Sequence, residues 1–182
     1  MNQRIIASVL CAVALGLSAC HKNSVILTPV VAPIAEQSAW QPVNAGINPD
    51  YQRWQSALGS IEFYHMAGLS ADDVHDPALS DYATTRQDQM LAGINTSSDQ
   101  LLGDVRDEVV SLAGQDFLQN TYRVRHADGT RTRFEQLLGV VNGQGLQISV
   151  QINDDVDSRS YEALQTLLVE QVADRLQAAK TP

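Results

Sequence analysis

NGQGLQISVQI (residues 142–152) is the stretch of this chain that most clearly predicts a fold. Four apolar residues in it alternate strictly with polar ones, at Leu146, Ile148, Val150 and Ile152. A period of two predicts a β-strand with one face packed against a core and the other face in water. The Asn142-Gly143 dipeptide before it favours a tight hairpin turn, because both central residues of such a turn have positive φ. The strand therefore belongs to an antiparallel sheet.

Several upstream segments predict further strands of that sheet. Each is short, alternates or is rich in β-branched and aromatic residues, and is bounded by turn residues. They are Ser60–Met66, Val105–Leu112, Tyr122–His126 and Thr132–Val141. The Asp128-Gly129 dipeptide between the last two predicts a second tight hairpin turn with two central residues of positive φ.

Two helices are expected to cover this sheet. The last segment repeats apolar residues at intervals of three and four, and Leu167 and Val169 widen the stripe; the repeat is Tyr161, Leu164, Leu168, Val172, Leu176 and Ala179. Oxygen-bearing side chains that can cap its N-terminus precede or open it, namely Asp155, Asp157, Ser158 and Ser160. Leu79–Ile94 has near-helical spacing as well. The fold class is thus α+β, an antiparallel β-meander packed with an internal helix and a C-terminal amphipathic helix.

The N-terminus has the form of a signal peptide. Arg4 precedes an uncharged apolar run, Ile5–Leu17, which is too short to span a bilayer because a spanning helix needs about 20 apolar residues. The run ends in Leu17-Ser18-Ala19-Cys20, which resembles the bacterial lipobox. That resemblance implies a diacylglyceryl group on Cys20, cleavage between Ala19 and Cys20, and acylation of the new amine. The alternative is an ordinary secretory signal in which Cys20 is incidental.

These features divide the chain into a signal peptide (1–19), a lipidated cysteine with a Pro-rich tether (20–50) and a single α+β domain (51–182). Four of the six prolines lie in the tether, where they favour an extended chain; they are Pro29, Pro33, Pro42 and Pro49. An edge strand formed by Val25–Leu27 and Val30-Val31 is the alternative for this segment. Cys11 leaves with the signal peptide, so the mature chain has no second cysteine for an internal disulfide bond.

The charge of the chain argues against nucleic acid as a partner. The formal net charge is −9, and it becomes −10 once the signal peptide removes Arg4 and no acidic residue. An acidic surface repels phosphates, and the sequence has no basic stripe with interleaved aromatic residues. We expect no nucleic-acid partner.

One basic cluster stands out in this acidic chain. Four arginines flank the Asp128-Gly129 turn, at Arg123, Arg125, Arg131 and Arg133. If they share a polar face, they form a positive patch that could bind an acidic partner or a lipid headgroup. The alternative is that they pair with acidic residues across the strands.

The sequence gives weaker signals for a metal site or a catalytic site than for the arginine cluster. Potential ligands gather at Asp72, Asp73, His75 and Asp76, although adjacent acids before a proline are usually turn formers. Asn153–Asp157 resembles the start of a calcium loop, but Ser158 and Leu164 stand where glycine and glutamate are needed, so helix capping explains its acids better. His65 shares its predicted strand face with Ile61 and Phe63, which favours a packed histidine over a base. We expect no cofactor, no metal and no catalytic residue.

From Leu79 to Val172 the chain resembles the DcrB-related envelope lipoproteins, which have a Mog1/PsbP-like α+β sandwich. The residues that carry the resemblance are Leu79–Ala83, Glu108–Gln115, Tyr122–Arg125, Arg133–Leu138, Asn142-Gly143, the strand to Ile152 and the last helix. The region Trp40–Met66 departs from the family's usual opening hairpin. The resemblance implies a non-catalytic binding or accessory module of the envelope and transfers no active-site residue.

The sequence therefore leads to one functional hypothesis and two alternatives. The first is a lipoprotein, anchored in the bilayer through acylated Cys20 and facing the periplasm, that binds another envelope or secreted protein. His21 after the cysteine favours the outer membrane in a Gram-negative source. The second is an immunity lipoprotein that neutralises a delivered toxin, which a neighbouring toxin gene would indicate. The third is a metal-dependent envelope hydrolase that uses His65, His75 and the Asp72–Asp76 loop.

Overall fold

A computed structural model describes residues 39–43, 50–66, 69 and 73–178. The predicted signal peptide, Cys20, Asp72 and most of the tether lie outside the described residues. These residues include two helices, α1 (Pro77–Thr96) and α2 (Ser158–Ala178). Eight strands are described in chain order: β1 (Gln41–Pro42), β2 (Tyr51–Ser56), β3 (Gly59–Met66), β4 (Gln100–Leu101), β5 (Arg106–Leu112), β6 (Gln115–Arg125), β7 (Arg131–Val141) and β8 (Gln144–Asn153).

The strands form one sheet in which every described pair is antiparallel. The order across it is β1-β2-β3-β8-β7-β6-β4, and β5 also pairs with β6. The predicted α+β class is confirmed, and β5 to β8 form the expected meander. The sheet also contains strands that the sequence did not predict, β1, β2 and β4. β1 lies within residues 20–50, the range assigned to the tether, and Trp40 beside it packs against the core.

The main core lies between the sheet and α2. The period-two pattern of β8 has its expected result, because Ile148 is opposite Phe63 of β3 and Leu137 of β7, and all three are buried. α2 adds Leu164, Leu168 and Val172, which lie on one face at intervals of four. Burying each such side chain stabilises the fold by about 1.5–3 kcal/mol relative to leaving it exposed.

The ends and width of α2 partly match the sequence. Asp157 caps the helix as expected, because its two carboxylate oxygens accept hydrogen bonds from the backbone amide and the hydroxyl of Ser160, both at 2.9 Å. These hydrogen bonds hold the pKa of Asp157 below its ordinary value. The wider stripe was wrong at one position, since Val169 is 39% exposed. It lies beyond the reach of the sheet.

The opposite face of the sheet is not the water-facing surface that the alternation of β8 predicted. α1 covers part of it, and Leu79 and Val74 pack with Leu138 and Val140 in a second, smaller core. Gln147 on this face is buried as well. Asp76 caps α1 by accepting a hydrogen bond from the amide of Ala78 at 2.8 Å, ahead of Pro77 in the first turn.

The two predicted hairpin turns differ. Asn142 and Gly143 have φ of 56° and 74°, so this turn has the geometry that its sequence predicts. The Asp128-Gly129 turn was wrong in detail, because β6 and β7 are joined by residues 126–130 and Gly129 alone of these has positive φ. The Asp128 carboxylate instead accepts hydrogen bonds from the amide and hydroxyl of Thr130, and this side-chain turn widens the loop.

Candidate binding groove

The four arginines flanking the β6–β7 turn lie on one face of the sheet. In the strand register Arg123 is opposite Arg133 and Arg125 is opposite Arg131, which places all four on the α2 side. Arg123 forms an ion pair with Asp154 at 2.9 Å, and Arg133 forms one with Glu135 at 2.8 Å. Pairing with acids therefore occurs at two of the four positions, but only the Arg123–Asp154 pair reaches across strands, as the alternative for the cluster expected, because Arg133 and Glu135 both lie in β7. Arg125 and Arg131 are exposed at the end of the hairpin.

Arg133 belongs to a polar cluster inside the main core. Glu135 is 1% exposed, and its carboxylate accepts hydrogen bonds from Gln119 Nε2 and from the Tyr161 hydroxyl, both at 2.9 Å. The Arg133 guanidinium also lies over the Tyr161 ring, 4.7 Å from its centre. Burial, and next the Glu135 charge, raise the pKa of Tyr161 to about 12. This cluster joins β6, β7 and α2; the Arg133 guanidinium also donates to the Tyr161 hydroxyl at 3.1 Å, while its Nε contacts Glu135 as an ion pair without a hydrogen bond.

Several of the candidate metal and catalytic residues take part in local hydrogen bonds and ion pairs. Asp73 accepts a hydrogen bond from the amide of His75 at 2.7 Å, and Asp76 caps α1. Searching the described residues for three or more ligand side chains in metal-binding proximity finds none. His65 lies on the α2 side of β3, where burial and then the Arg175 charge lower its pKa. Asp154 and Asp157, from the segment compared with a calcium loop, bind Arg123 and cap α2.

The other side of the sheet carries a polar groove. α1 contacts β7 and β4, and beside it the exposed floor is built from alternate residues of β2, β3 and β8. One strand-to-strand row of the floor runs from Arg53 through Glu62 and Ser149 to Gln136. The wall on the helix side is formed by Tyr82, Arg86, Gln89 and Met90.

The groove consists of two adjoining cavities of about 420 and 670 Å³. Arg86, Glu62 and Ser149 line both, so they mark the junction. The smaller cavity ends at Tyr122 and Phe134, whose rings stack with centres 5.0 Å apart and planes inclined by 8°. Small-molecule sites in proteins have volumes of about 300–1,000 Å³, which includes each cavity.

Glu62 is the carboxylate of the groove floor, and its neighbours fix it in place. Its two oxygens accept hydrogen bonds from the hydroxyls of Tyr51 at 3.1 Å and Tyr64 at 2.6 Å, and Arg53 Nε lies 3.7 Å away. Burial, followed by the hydrogen bond to Glu62, raises the pKa of both tyrosines. At neutral pH both phenols therefore remain protonated hydrogen-bond donors, and Glu62 is held as their acceptor.

A short hydrogen-bonded chain connects the helix wall to the floor. The Tyr82 hydroxyl of α1 donates to Gln147 Oε1 at 2.9 Å, and Gln147 Nε2 donates to Ser149 Oγ at 3.0 Å. Because Gln147 is buried, this chain also satisfies the polar side chain that the alternation of β8 had assigned to water. The groove floor is thereby rigid on the β8 side.

Sequence reasoning did not identify the groove, for a specific reason. Its floor residues are single alternate positions of β2, β3 and β8; β2 and β3 form a hairpin, but β8 comes much later in the chain, so the set forms no local motif. One signal was present in α1, where the apolar stripe of Leu79, Tyr82 and Ala83 is interrupted at Arg86 before it resumes at Met90. A charged residue on the core-facing stripe of a helix indicates that the helix borders a polar site there.

Comparison with known proteins adds no assignment. No family model matches the chain, and none of the curated proteins is significantly similar to it in sequence. Neither of the helices in the described part of the chain is sufficiently long and apolar to cross a membrane.

Proposed function

We propose that this protein is a bacterial envelope lipoprotein whose domain is a non-catalytic binding module. The anchor would be the acylated Cys20 of the lipobox, in the outer membrane and facing the periplasm, as His21 favours. Each methylene buried in lipid contributes about 0.8 kcal/mol, and two lipid chains suffice for stable attachment. The α+β order of hairpin, helix, meander and helix supports placing the domain with the DcrB-related, Mog1/PsbP-like proteins.

The single observation that carries the binding function is the groove beside α1. Its polar groups are held by one another: Glu62 accepts from two phenols, and Tyr82, Gln147 and Ser149 form a chain. The raised pKa values keep both tyrosines as hydrogen-bond donors, and their hydrogen bonds fix the Glu62 carboxylate in one orientation, which suits recognition of a ligand.

The anchor is tested by changing Cys20. We expect the chain to incorporate an alkyne analogue of palmitate and to sediment with membranes, and Cys20→Ser to lose both properties. Ser18→Thr, which leaves the cysteine in place, serves as the matched control. Labelling that persists in Cys20→Ser would contradict the lipobox interpretation.

The binding surface is tested by photo-crosslinking in the native envelope. A photoreactive residue replaces one exposed side chain at a time: Gln89 in the groove wall, Arg131 in the arginine hairpin, or Gln177 on α2 as the control. We expect capture of one discrete product from Gln89 and none from Gln177. Capture from Arg131 alone would transfer the binding function to the arginine patch. Equal capture from all three positions would argue against a defined site.

A further inference from the structure

Arg86 is the charged group of the groove that has no acidic partner among the described residues. Its guanidinium donates to Gln89 Oε1 in the same helix at 3.1 Å, and among the described residues it forms no ion pair. Glu62, the acid of the floor, already interacts with Arg53 and two phenols. Glu62 also lines the junction of the two cavities, but Arg53 offsets its charge, so the Arg86 guanidinium remains the unpaired positive group there in a chain with a net charge of −9.

Apart from Arg86, Arg53, Glu62 and the buried Glu135, whose carboxylate interacts with Arg133, Gln119 and Tyr161, the lining of the smaller cavity is uncharged and rich in hydrogen-bonding groups. Ser60, Ser149, Gln89, Gln136 and Gln151 surround the smaller cavity with hydroxyls and amides that can both donate and accept. The stacked Tyr122 and Phe134 form an aromatic wall at one end. This combination suits a ligand with many hydroxyl groups and an apolar ring face, and it does not suit an acyl chain.

From this geometry we propose that the groove binds an acidic sugar, with Arg86 holding its carboxylate and the serine and glutamine side chains holding its hydroxyls. The inference rests on the proposed function as a binding module and adds the class of ligand. A carboxylate matches the guanidinium through two parallel hydrogen bonds and a single charge. A phosphate dianion would bring excess negative charge to an acidic domain.

The test compares two sugars that differ in one group. N-acetylmuramic acid carries a lactyl carboxylate on the ring of N-acetylglucosamine, so the second sugar is the neutral control. Binding to the full chain in detergent is measured by calorimetry and by saturation-transfer NMR. We expect N-acetylmuramic acid to bind at least ten-fold more tightly than N-acetylglucosamine, since a charge-assisted pair is worth about one such factor or more. Its binding should weaken as salt is raised.

Two arginine variants isolate the contact. Arg86→Gln should reduce N-acetylmuramic acid binding about ten-fold and leave N-acetylglucosamine binding unchanged. Arg106→Gln removes the same charge from an exposed residue of β5 on the α2 side of the sheet. It should change the binding of neither sugar. Equal losses in both variants would mean that general charge attracts the acid, which would overturn the proposal. Unchanged urea unfolding midpoints confirm that both variants fold.

The remaining outcomes separate this inference from the proposed function. Equal affinity for the two sugars, or full competition by inorganic phosphate at equal concentration, would overturn the acidic-sugar proposal and leave the groove as a binding site. Failure of both sugars to bind, with Gln89 still crosslinking a discrete product, would overturn the ligand class alone. Failure of both sugars together with no capture from Gln89 would overturn the ligand class and the groove as the binding site.

Discussion

Replacing Glu135 tests whether the polar cluster under α2 holds the fold together. Glu135 is buried and is bound by Arg133, Gln119 and Tyr161, which come from three different elements. Glu135→Leu keeps a side chain of similar volume but removes the acceptor of two hydrogen bonds and the charge that pairs with Arg133. The main chain and the apolar core around it are left unchanged.

The loss of stability expected for Glu135→Leu follows from the Arg133 charge that remains without its partner. Removing one member of a buried ion pair costs about 3–5 kcal/mol, because the other charge remains uncompensated. The Arg133 side chain is 27% exposed whereas the Glu135 side chain is 0% exposed, so solvent screens part of the remaining charge. We therefore expect the lower end of that range, about 3 kcal/mol.

Equilibrium unfolding in urea measures this cost, with the fluorescence of Trp40 and Trp54 as probe because both pack against the core. Glu108→Gln is the matched control, since Glu108 is exposed on β5, which pairs with β6 and not with β7, and its change should stay within about 0.5 kcal/mol. The double variant Arg133→Met/Glu135→Leu should recover at least about 1 kcal/mol, because it leaves no lone charge. A Glu135→Leu cost below about 0.5 kcal/mol would refute the reasoning.

Three further predictions concern stability. Gly139→Ala should lower the free energy of unfolding in urea by about 1–3 kcal/mol, because the added Cβ would lie 2.5 Å from the Phe117 ring. Gly93→Ala in α1 meets open space and should raise that free energy by about 0.5–1 kcal/mol. Similar effects of the two substitutions would contradict the packing around Gly139. The pKa of Tyr161 is raised from 10.0 to about 12, so its contribution to stability is complete below pH 10 and is lost as the pH rises through 12. Over that range the urea unfolding midpoint should fall less steeply with pH in Tyr161→Phe than in the parent chain. The pKa of His65 is lowered, so its contribution to stability is present above pH 6.5 and declines as the pH falls. The unfolding midpoint should therefore fall less steeply in acid for His65→Gln than for the parent chain. Parallel pH profiles of the two proteins would argue against the burial of His65.

The elements that the sequence predicted are those whose pattern is local and complete. β8 and α2 carry their period of two or four over their whole buried length, so the pattern alone identifies the face that packs. Asn142-Gly143 supplies both positive-φ residues that its turn needs. Asp128-Gly129 contains the same kind of dipeptide, but Thr130 offers Asp128 two alternative donors and the loop opens to residues 126–130.

The parts that the sequence did not predict depend on pairing between strands. β2 has the sequence YQRWQS, in which no single period dominates. It becomes a strand because every one of its residues pairs with a residue of β3, from Tyr51 opposite Tyr64 to Ser56 opposite Gly59. The groove has the same origin, since Arg53, Glu62 and Ser149 become neighbours only when three strands align. The four arginines were found as a cluster because they are close in sequence, but their ion pairs required the fold.

The two faces of the sheet have different compositions, and this matters for interpreting variants of the groove. The α2 face carries the large apolar core and the Glu135 cluster, so it provides most of the buried contacts that resist unfolding. The groove face is only partly covered, and Arg86, Gln89 and Gln151 are exposed there. Substituting these three residues removes no buried apolar contact, and exposed substitutions usually change stability by less than about 0.5 kcal/mol. A loss of binding in such a variant therefore reports on recognition in the groove and not on loss of the fold.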